Sequence, residues 1–323
     1  MNNFARLCYA WGMTSKLFFV ILAVSLLINC RSAAHRRGEF DEVLLKTLAP
    51  VPSTVLIADD PQAQKEIMLA FASAYPDKIG SVELLDNDWT MLVNDRRFFY
   101  ANGRFLPEEL RGQWEDYQPY DFYVYPWVGT EAHRQAAFRY PVYSTGSSFL
   151  FDTLYFSPTE DNSWDMQVKY SFLGVKMLVH SYIEPFLDSV SRQIRAAAEI
   201  DPSIDQWIAE LRTAPPSFGW NWRTIAGTHR RSNHSYGTAL DLLPKNLGGR
   251  YTYWQWNLND TAKGNSGVEY YLPPRAVIQA FEDHGFIWGG SWDLIDTMHF
   301  EYRPEIFILN NRRITAADQA INE

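Results

Sequence analysis

The sequence predicts an α+β chain whose C-terminal part is a small antiparallel sheet with helices, preceded by a less regular α+β region. Three observations predict this fold class. Residues 89–105 alternate β-prone runs with the turn-forming dipeptides ND and NG. Residues 176–199 carry apolar side chains at three- and four-residue steps, which is the period of a helix. From Phe218 onward, short β-prone runs and frequent glycines replace that helical pattern.

Two consecutive helices are expected before that change. The first covers residues 176–199 and ends at an Asp-Pro pair. Ser203 is expected to start the second helix, because Gln206 stands three residues later and completes a capping box. A Pro-Pro pair then closes this segment.

The remaining elements are shorter. Residues 114–127 are aromatic and contain two prolines, which indicates irregular structure packed on a surface. One helix is expected in the C-terminal part, at residues 273–285. Pro274 suits its first turn, and Gly285 can form a left-handed cap after its last turn.

Composition excludes several classes of protein. Hydrophobic residues make up 46% of the 323 residues and charged residues 21%, which is typical of a globular protein. The net charge is -9 and no run of lysine or arginine occurs, so nucleic-acid binding is not expected. The aromatic content of 15% fits either core packing or a groove for a sugar or peptide polymer.

The N-terminus predicts export. Residues 17–28 form an unbroken apolar run that follows Arg6 and Lys16. The run is shorter than the ~20 apolar residues that span a bilayer, but it fits the apolar region of a signal peptide. Cys30 stands where a lipoprotein signal places its lipidated cysteine, although Asn29 is unusual before it. An ordinary cleaved signal peptide and an uncleaved anchor are the alternatives.

The chain therefore divides into five predicted parts. Residues 1–30 are a signal peptide of the lipoprotein type, and residues 31–40 are a polar tether. Residues 41–200 form an N-terminal α+β region of unknown role. Residues 201–310 carry the chemistry, and residues 311–323 are a C-terminal tail.

Cysteine usage restricts the chemistry. Cys8 and Cys30 are the two cysteines of the chain, and both lie in the predicted export segment. No disulfide can then form within the mature fold. Any transition-metal site must use histidine, aspartate and glutamate.

Two short segments hold residues that suit such a site. The stretch SNHSYGTALD contains His234 and Asp241, with a glycine and an alanine between them. The stretch DTMHFEY contains Asp296, His299 and Glu301. Two histidines and one aspartate would leave a fourth metal position open for water, which is the arrangement of catalytic zinc sites. Asp296 is then a candidate base for that water.

These two segments resemble the M15 family of zinc peptidases, which cleave peptidoglycan peptides. SNHSYGTALD matches the family signature S-x-H-x-x-G-x-A-x-D at every fixed position. GFIWGGSWDLIDTMHFE resembles the second family motif, and its WGG-x-W part is similar to the L-alanyl-D-glutamate endopeptidase branch. The resemblance covers about residues 219–305 and implies the hedgehog/D,D-peptidase-like fold.

The resemblance implies a set of metal ligands and a base. His234, Asp241 and His299 correspond to the zinc ligands. Asp296 corresponds to the general base, although many relatives have glutamate there. On a strand, Glu301 would share a face with His299. Glu301 is then either a partner of a ligand or a rival base.

Other residues are expected around the substrate. Arg223 corresponds to the family arginine that stabilises the scissile carbonyl as it becomes an oxyanion, with Arg230 as the alternative. Ser232 opens the signature and is expected beside the ligands or the substrate. Tyr253 and Trp254 fit the wall of a substrate cleft, although core packing is equally compatible with them.

The sequence therefore predicts an exported zinc metallopeptidase, either a D,D-carboxypeptidase or an L-Ala-D-Glu endopeptidase. Its expected cofactor is Zn²⁺, and its expected partners are peptidoglycan peptides and, through a lipid anchor, a membrane. The expected location is periplasmic or on the cell surface. The alternative is a zinc-binding module without catalytic activity, since hedgehog domains keep a similar ligand set without being peptidases.

Overall fold

The computed structural model describes residues 58, 60–120, 125–126, 147–213, 218–225, 230–261, 269–292 and 294–310. The predicted export signal with Cys30, the tether and the C-terminal tail lie outside these ranges. All described residues belong to one compact unit. Within the described ranges, no helix has both the length and the apolar character needed to cross a membrane.

The N-terminal region begins with helix α1, Pro61–Ala74, whose first turn is capped by the Asp60 side chain. An antiparallel meander follows, and its strands are β1 (Ile79–Leu85), β2 (Asp88–Val93), β3 (Arg96–Phe99) and β4 (Leu106–Pro107). Asn94 and Asp95 form the predicted turn between β2 and β3 with φ values of 44° and 65°. The predicted β structure in residues 89–105 is therefore confirmed.

The middle of the chain adds four helices and a hairpin. They are α2 (Phe149–Leu154), α3 (Glu160–Asp165), β5 (Gln167–Phe172), β6 (Val175–His180), α4 (Glu184–Ile200) and α5 (Pro202–Thr213). The prediction of a helix from residue 176 was wrong at its start, because β6 pairs with β5 there. Met177 and Val179 are buried while Lys176 is exposed, which is the two-residue period of a strand.

Helix α5 also begins differently from the prediction. It starts at Pro202, and the Asp201 carboxylate accepts a hydrogen bond from the Ser203 backbone N–H at 2.9 Å. The Gln206 side chain donates to Glu210 further along the helix. Asp201, and not Ser203, therefore provides the side-chain cap.

The C-terminal part contains a three-stranded antiparallel sheet in the order β7–β9–β8. Its strands are β7 (Ala239–Asp241), β8 (Phe286–Trp288) and β9 (His299–Tyr302). The Phe300 ring of β9 stacks on Phe281 with centroids 4.0 Å apart. The α+β fold class with a small antiparallel sheet is confirmed.

The helix expected in this part is confirmed, and two further helices accompany it. The predicted helix is present as α7, Arg275–Glu282, and Gly285 follows it with a φ of 84°. Two others flank it, α6 (Trp254–Thr261) and α8 (residues 304–310). Both are only about two turns long.

One hydrophobic core joins the N-terminal and C-terminal regions. The Tyr75 ring at the end of α1 packs edge-on against Tyr302 of β9, with centroids 6.2 Å apart. Its hydroxyl donates a 2.7 Å hydrogen bond to Glu305 in α8. The two regions are thus packed together around β9, while the boundary expected near residue 200 stays a prediction.

Gly237 shapes the segment that precedes β7. It ends the 3₁₀ turn Asn233–Tyr236 with a φ of 71° in the left-handed region. A Cβ atom there would lie 2.8 Å from the backbone nitrogen of His180 and 1.9 Å from Oε1 of Gln167. The Gly237 carbonyl also accepts a hydrogen bond from that His180 N–H at 2.9 Å. Only glycine combines this φ with this close approach.

We therefore expect Gly237→Ala to lower the free energy of unfolding by roughly 2–4 kcal/mol, since it adds a strained φ and an overpacked contact. Urea unfolding followed by tryptophan fluorescence measures the change. Gly112→Ala is the control, because its Cβ would meet no atom within 4 Å. Equal unfolding midpoints for the two variants would contradict this account.

Candidate metal centre

The candidate ligands are brought together by the pairing of β7 and β9. Asp241, the last residue of β7, lies directly opposite His299, the first residue of β9. His234 lies in the 3₁₀ turn that leads into β7. All three side chains are buried. The register of two short strands and the turn before them thus place the three residues in one small volume.

Three donor atoms converge there. Nδ1 of His299 lies 3.0 Å from Oδ1 of Asp241 and 3.2 Å from Nε2 of His234. That Nε2 lies 3.3 Å from the same carboxylate oxygen. Among the described residues, these three form the group of histidine and carboxylate side chains that could hold a metal ion. Two imidazole nitrogens and a carboxylate oxygen are a donor set that suits zinc.

A backbone carbonyl orients His234. Its Nδ1 donates to the Gly219 carbonyl oxygen at 2.6 Å, so the proton resides on Nδ1 and the Nε2 lone pair faces Asp241 and His299. Gly219 can take this position because it has no side chain, since a Cβ would lie 2.2 Å from the Leu178 carbonyl oxygen. The Phe218 ring packs on the His234 imidazole at 4.8 Å.

A carboxylate orients His299. Oε2 of Glu301 accepts from Nε2 of His299 at 3.1 Å and from the Asn233 side-chain amide at 2.6 Å. Its other oxygen accepts from Arg303 at 3.3 Å. With Nε2 protonated, Nδ1 of His299 is the nitrogen left to bind a metal ion. Asn233 was not predicted, although it stands beside His234 in the signature.

The electrostatic environment favours positive charge. Burial acts to lower the pKa of His299, but Asp241 and Glu301 raise it to about 10. Against the effect of burial, the two histidines hold the pKa of Asp241 below its usual range. His299 and Arg303 do the same for the pKa of Glu301. Both carboxyl groups are therefore ionised at neutral pH, and the centre fits a cation.

Asp296 lies at the edge of this centre. Its backbone N–H donates to the Gly289 carbonyl at 3.0 Å, and its backbone forms an antiparallel bridge with Tyr253. Burial and the Asp241 charge raise the pKa of Asp296 to about 7. Its Oδ1 is buried and accepts no hydrogen bond from any described residue. This oxygen therefore keeps an unused acceptor position.

Arg223 is fixed through its backbone, and its exposed guanidinium donates a long hydrogen bond of 3.4 Å to the Thr224 carbonyl. The Ser235 hydroxyl accepts from the Arg223 N–H at 2.8 Å and donates to the Arg223 carbonyl at 2.7 Å. The guanidinium is exposed, and its charge acts to lower the pKa of Asp296 and of Tyr253. Arg223, Tyr253 and Asp296 thus face a common region. Ser235 was not predicted, because it is a variable letter of the signature.

The structure places the other predicted residues as follows. Ser232 is buried and caps the 3₁₀ turn through a hydrogen bond from the His234 N–H at 3.4 Å. The Arg230 carbonyl accepts from the Ile225 N–H, which closes the loop before the signature. The Trp254 N–H donates to the Ile295 carbonyl, and its ring lies 5.6 Å from that of Tyr253. Cys30 lies outside the described residues.

Comparison with known families agrees with this geometry. Residues 226–302 match the family model described as D-alanyl-D-alanine carboxypeptidase, one of the M15 peptidases. The match contains the three candidate ligands, and Arg223 lies just before it. Residues 68–122 match a domain of unknown function. No curated protein and no solved structure is significantly similar to the chain. The chain thus contains a region similar to M15 peptidases, which supports peptidase activity.

We expect His234→Ala and His299→Ala each to abolish metal retention, because each removes one of three protein ligands and the described residues contain no cysteine. Elemental analysis of the purified variants measures the metal content. His284→Ala is the control, since His284 lies outside the ligand group. Full metal occupancy in either ligand variant would disprove the ligand assignment.

Proposed function

We propose that the protein is an exported zinc metallopeptidase that hydrolyses peptide bonds in peptidoglycan stem peptides. One observation carries the proposal. His234, Asp241 and His299 present three buried donor atoms within 4.8 Å of one another, inside the region similar to D-alanyl-D-alanine carboxypeptidases. The bond that it cleaves is either the terminal D-Ala-D-Ala bond or the L-Ala-D-Glu bond.

Each residue of the centre has a distinct chemical role in this proposal. His234, Asp241 and His299 would hold a zinc ion, and such an ion would supply a Lewis acid that makes hydroxide available near neutral pH. Asp296 accepts the proton of the attacking water at its unpaired Oδ1 and later passes it to the leaving amine. The exposed Arg223 guanidinium stabilises the negative charge that develops on the carbonyl oxygen.

Glu301 is assigned a different role from Asp296. Both of its oxygens are already engaged, by His299, Asn233 and Arg303. A base needs a free oxygen within reach of the water, and this condition favours Asp296. Glu301 therefore acts by orienting the His299 imidazole.

Mass spectrometry of muropeptides after digestion tests the activity directly. A D,D-carboxypeptidase would release the terminal alanine, and an endopeptidase would separate the first two residues of the stem peptide. A protein that binds one zinc ion yet releases no product would instead be a zinc-binding module without catalytic activity.

We expect Asp296→Asn to bind zinc normally and to lose at least about 10²-fold in kcat, because asparagine keeps the size but accepts no proton at neutral pH. Peptide hydrolysis and zinc content are measured on the same preparation.

Glu301→Gln is the matched control for that variant. It should weaken zinc affinity by roughly 10- to 100-fold, with activity largely recovered at high zinc concentration. The opposite pattern would reverse the two assignments. In that pattern, added zinc restores the activity of Asp296→Asn, whereas Glu301→Gln binds zinc fully and stays inactive.

Export and lipidation form a separate part of the proposal. The apolar run at residues 17–28 and Cys30 support it. We expect metabolic labelling with a fatty-acid analogue to mark the wild-type protein and to spare Cys30→Ser. An unlabelled wild-type protein would favour a plain signal peptide or an anchor.

A further inference from the structure

A row of buried charges extends from the metal centre towards the N-terminal region. Glu301, Arg303 and Glu305 follow His299 at every second position, and they lie in β9, between β9 and α8, and at the start of α8. Their exposed fractions are 3%, 3% and 0%. Charged side chains are rarely buried to this extent unless each is paired and hydrogen-bonded. Each of these three side chains should therefore have partners of opposite charge or hydrogen-bond partners.

Arg303 joins the two carboxylates. Its Nη1 donates to Oε1 of Glu301 at 3.3 Å, and its Nε donates to Oε1 of Glu305 at 2.5 Å. Its Nη2 donates to the Tyr120 hydroxyl. Because a guanidinium is planar, three acceptors in different directions fix both its position and its plane. The Glu301 carboxylate that contacts His299 is thus hydrogen-bonded to a guanidinium whose position is fixed.

Two tyrosines of the N-terminal region complete the network. The Tyr120 hydroxyl donates to Oε1 of Glu305 at 2.5 Å, and the Tyr75 hydroxyl donates to Oε2 at 2.7 Å. Burial raises the pKa of both hydroxyls well above the usual value, so both remain donors. Both residues lie within the segment 68–122 that matches a domain of unknown function.

We propose that Tyr120 and Tyr75 are positioning residues of the metal centre, which act on His299 through Glu305, Arg303 and Glu301. This inference rests on the proposed function, in which His299 binds zinc. The N-terminal region then has a role in metal binding although it supplies no ligand. Mutation of a residue that orients a metal ligand through hydrogen bonds typically changes the metal affinity.

Zinc affinity tests the inference. We expect Tyr120→Phe to raise the zinc Kd by about 10-fold in competition with a chromogenic chelator, since the hydroxyl that holds both Arg303 and Glu305 is lost. Tyr100→Phe is the matched control. Tyr100 is also buried in the same region and packs on the same Phe105, and its hydroxyl accepts a 2.7 Å hydrogen bond from the Ala58 N–H.

A double-mutant cycle separates positioning from a general loss of stability. If Tyr120 acts through Glu301, adding Tyr120→Phe to Glu301→Gln should raise the Kd by less than twofold. Thermal unfolding of both tyrosine variants without metal reports their stability. Arg303→Lys keeps the charge but loses the planar fork, and it should also raise the Kd about 10-fold, which provides a second route if Tyr120→Phe does not fold.

Two results would overturn the inference. One is equal zinc affinity in Tyr120→Phe and Tyr100→Phe. The other is a full 10-fold effect of Tyr120→Phe on the Glu301→Gln background. Both presuppose a wild-type protein that binds zinc. A wild-type protein without zinc affinity would instead refute the proposed function.

Discussion

The cross-strand pair of Asp241 and His299 is the constraint on which the metal centre depends. The two residues are direct partners in the antiparallel ladder of β7 and β9. A slip of one residue in this register would turn His299 and Glu301 to the opposite face of the sheet and bring Phe300 in their place. The core prevents such a slip, because Phe300 stacks on Phe281 behind the sheet. Hydrophobic packing on one face of the sheet therefore fixes which side chains form the candidate metal centre on the other face.

The candidate ligands could be predicted from the sequence because few residue types bind zinc and their spacing is distinctive. Strand alternation alone left Glu301 as a rival base, and only the family resemblance favoured Asp296. The alternation of a strand tells which face a side chain occupies, but it does not tell whether its oxygens are already hydrogen-bonded. In the structure, Glu301 has partners for both oxygens, whereas Oδ1 of Asp296 has none among the described residues.

Other features could not be predicted from the sequence, and the physical reasons can be identified. The sequence predicts the start of a helix in β6 because its apolar residues run into those of α4 without a glycine, proline, asparagine or aspartate between them. The hydrogen bond between His234 and the Gly219 carbonyl involves a backbone atom, which any residue carries. The contacts of Glu305 with Tyr75 and Tyr120 join distant segments, and local patterns hold no information about such pairs.

The distance along the chain between these partners has a consequence for the order of folding. Tyr75 and Glu305 are separated by 230 positions, and Tyr120 and Arg303 by 183. Closing loops of this length is costly in entropy, so such contacts form late and only after the C-terminal residues have left the ribosome. The hydrogen-bond network that orients His299 through Glu301 is then one of the last parts of the molecule to assemble. Under the proposed export, the chain would cross a membrane before these contacts form and would acquire its metal ion on the far side.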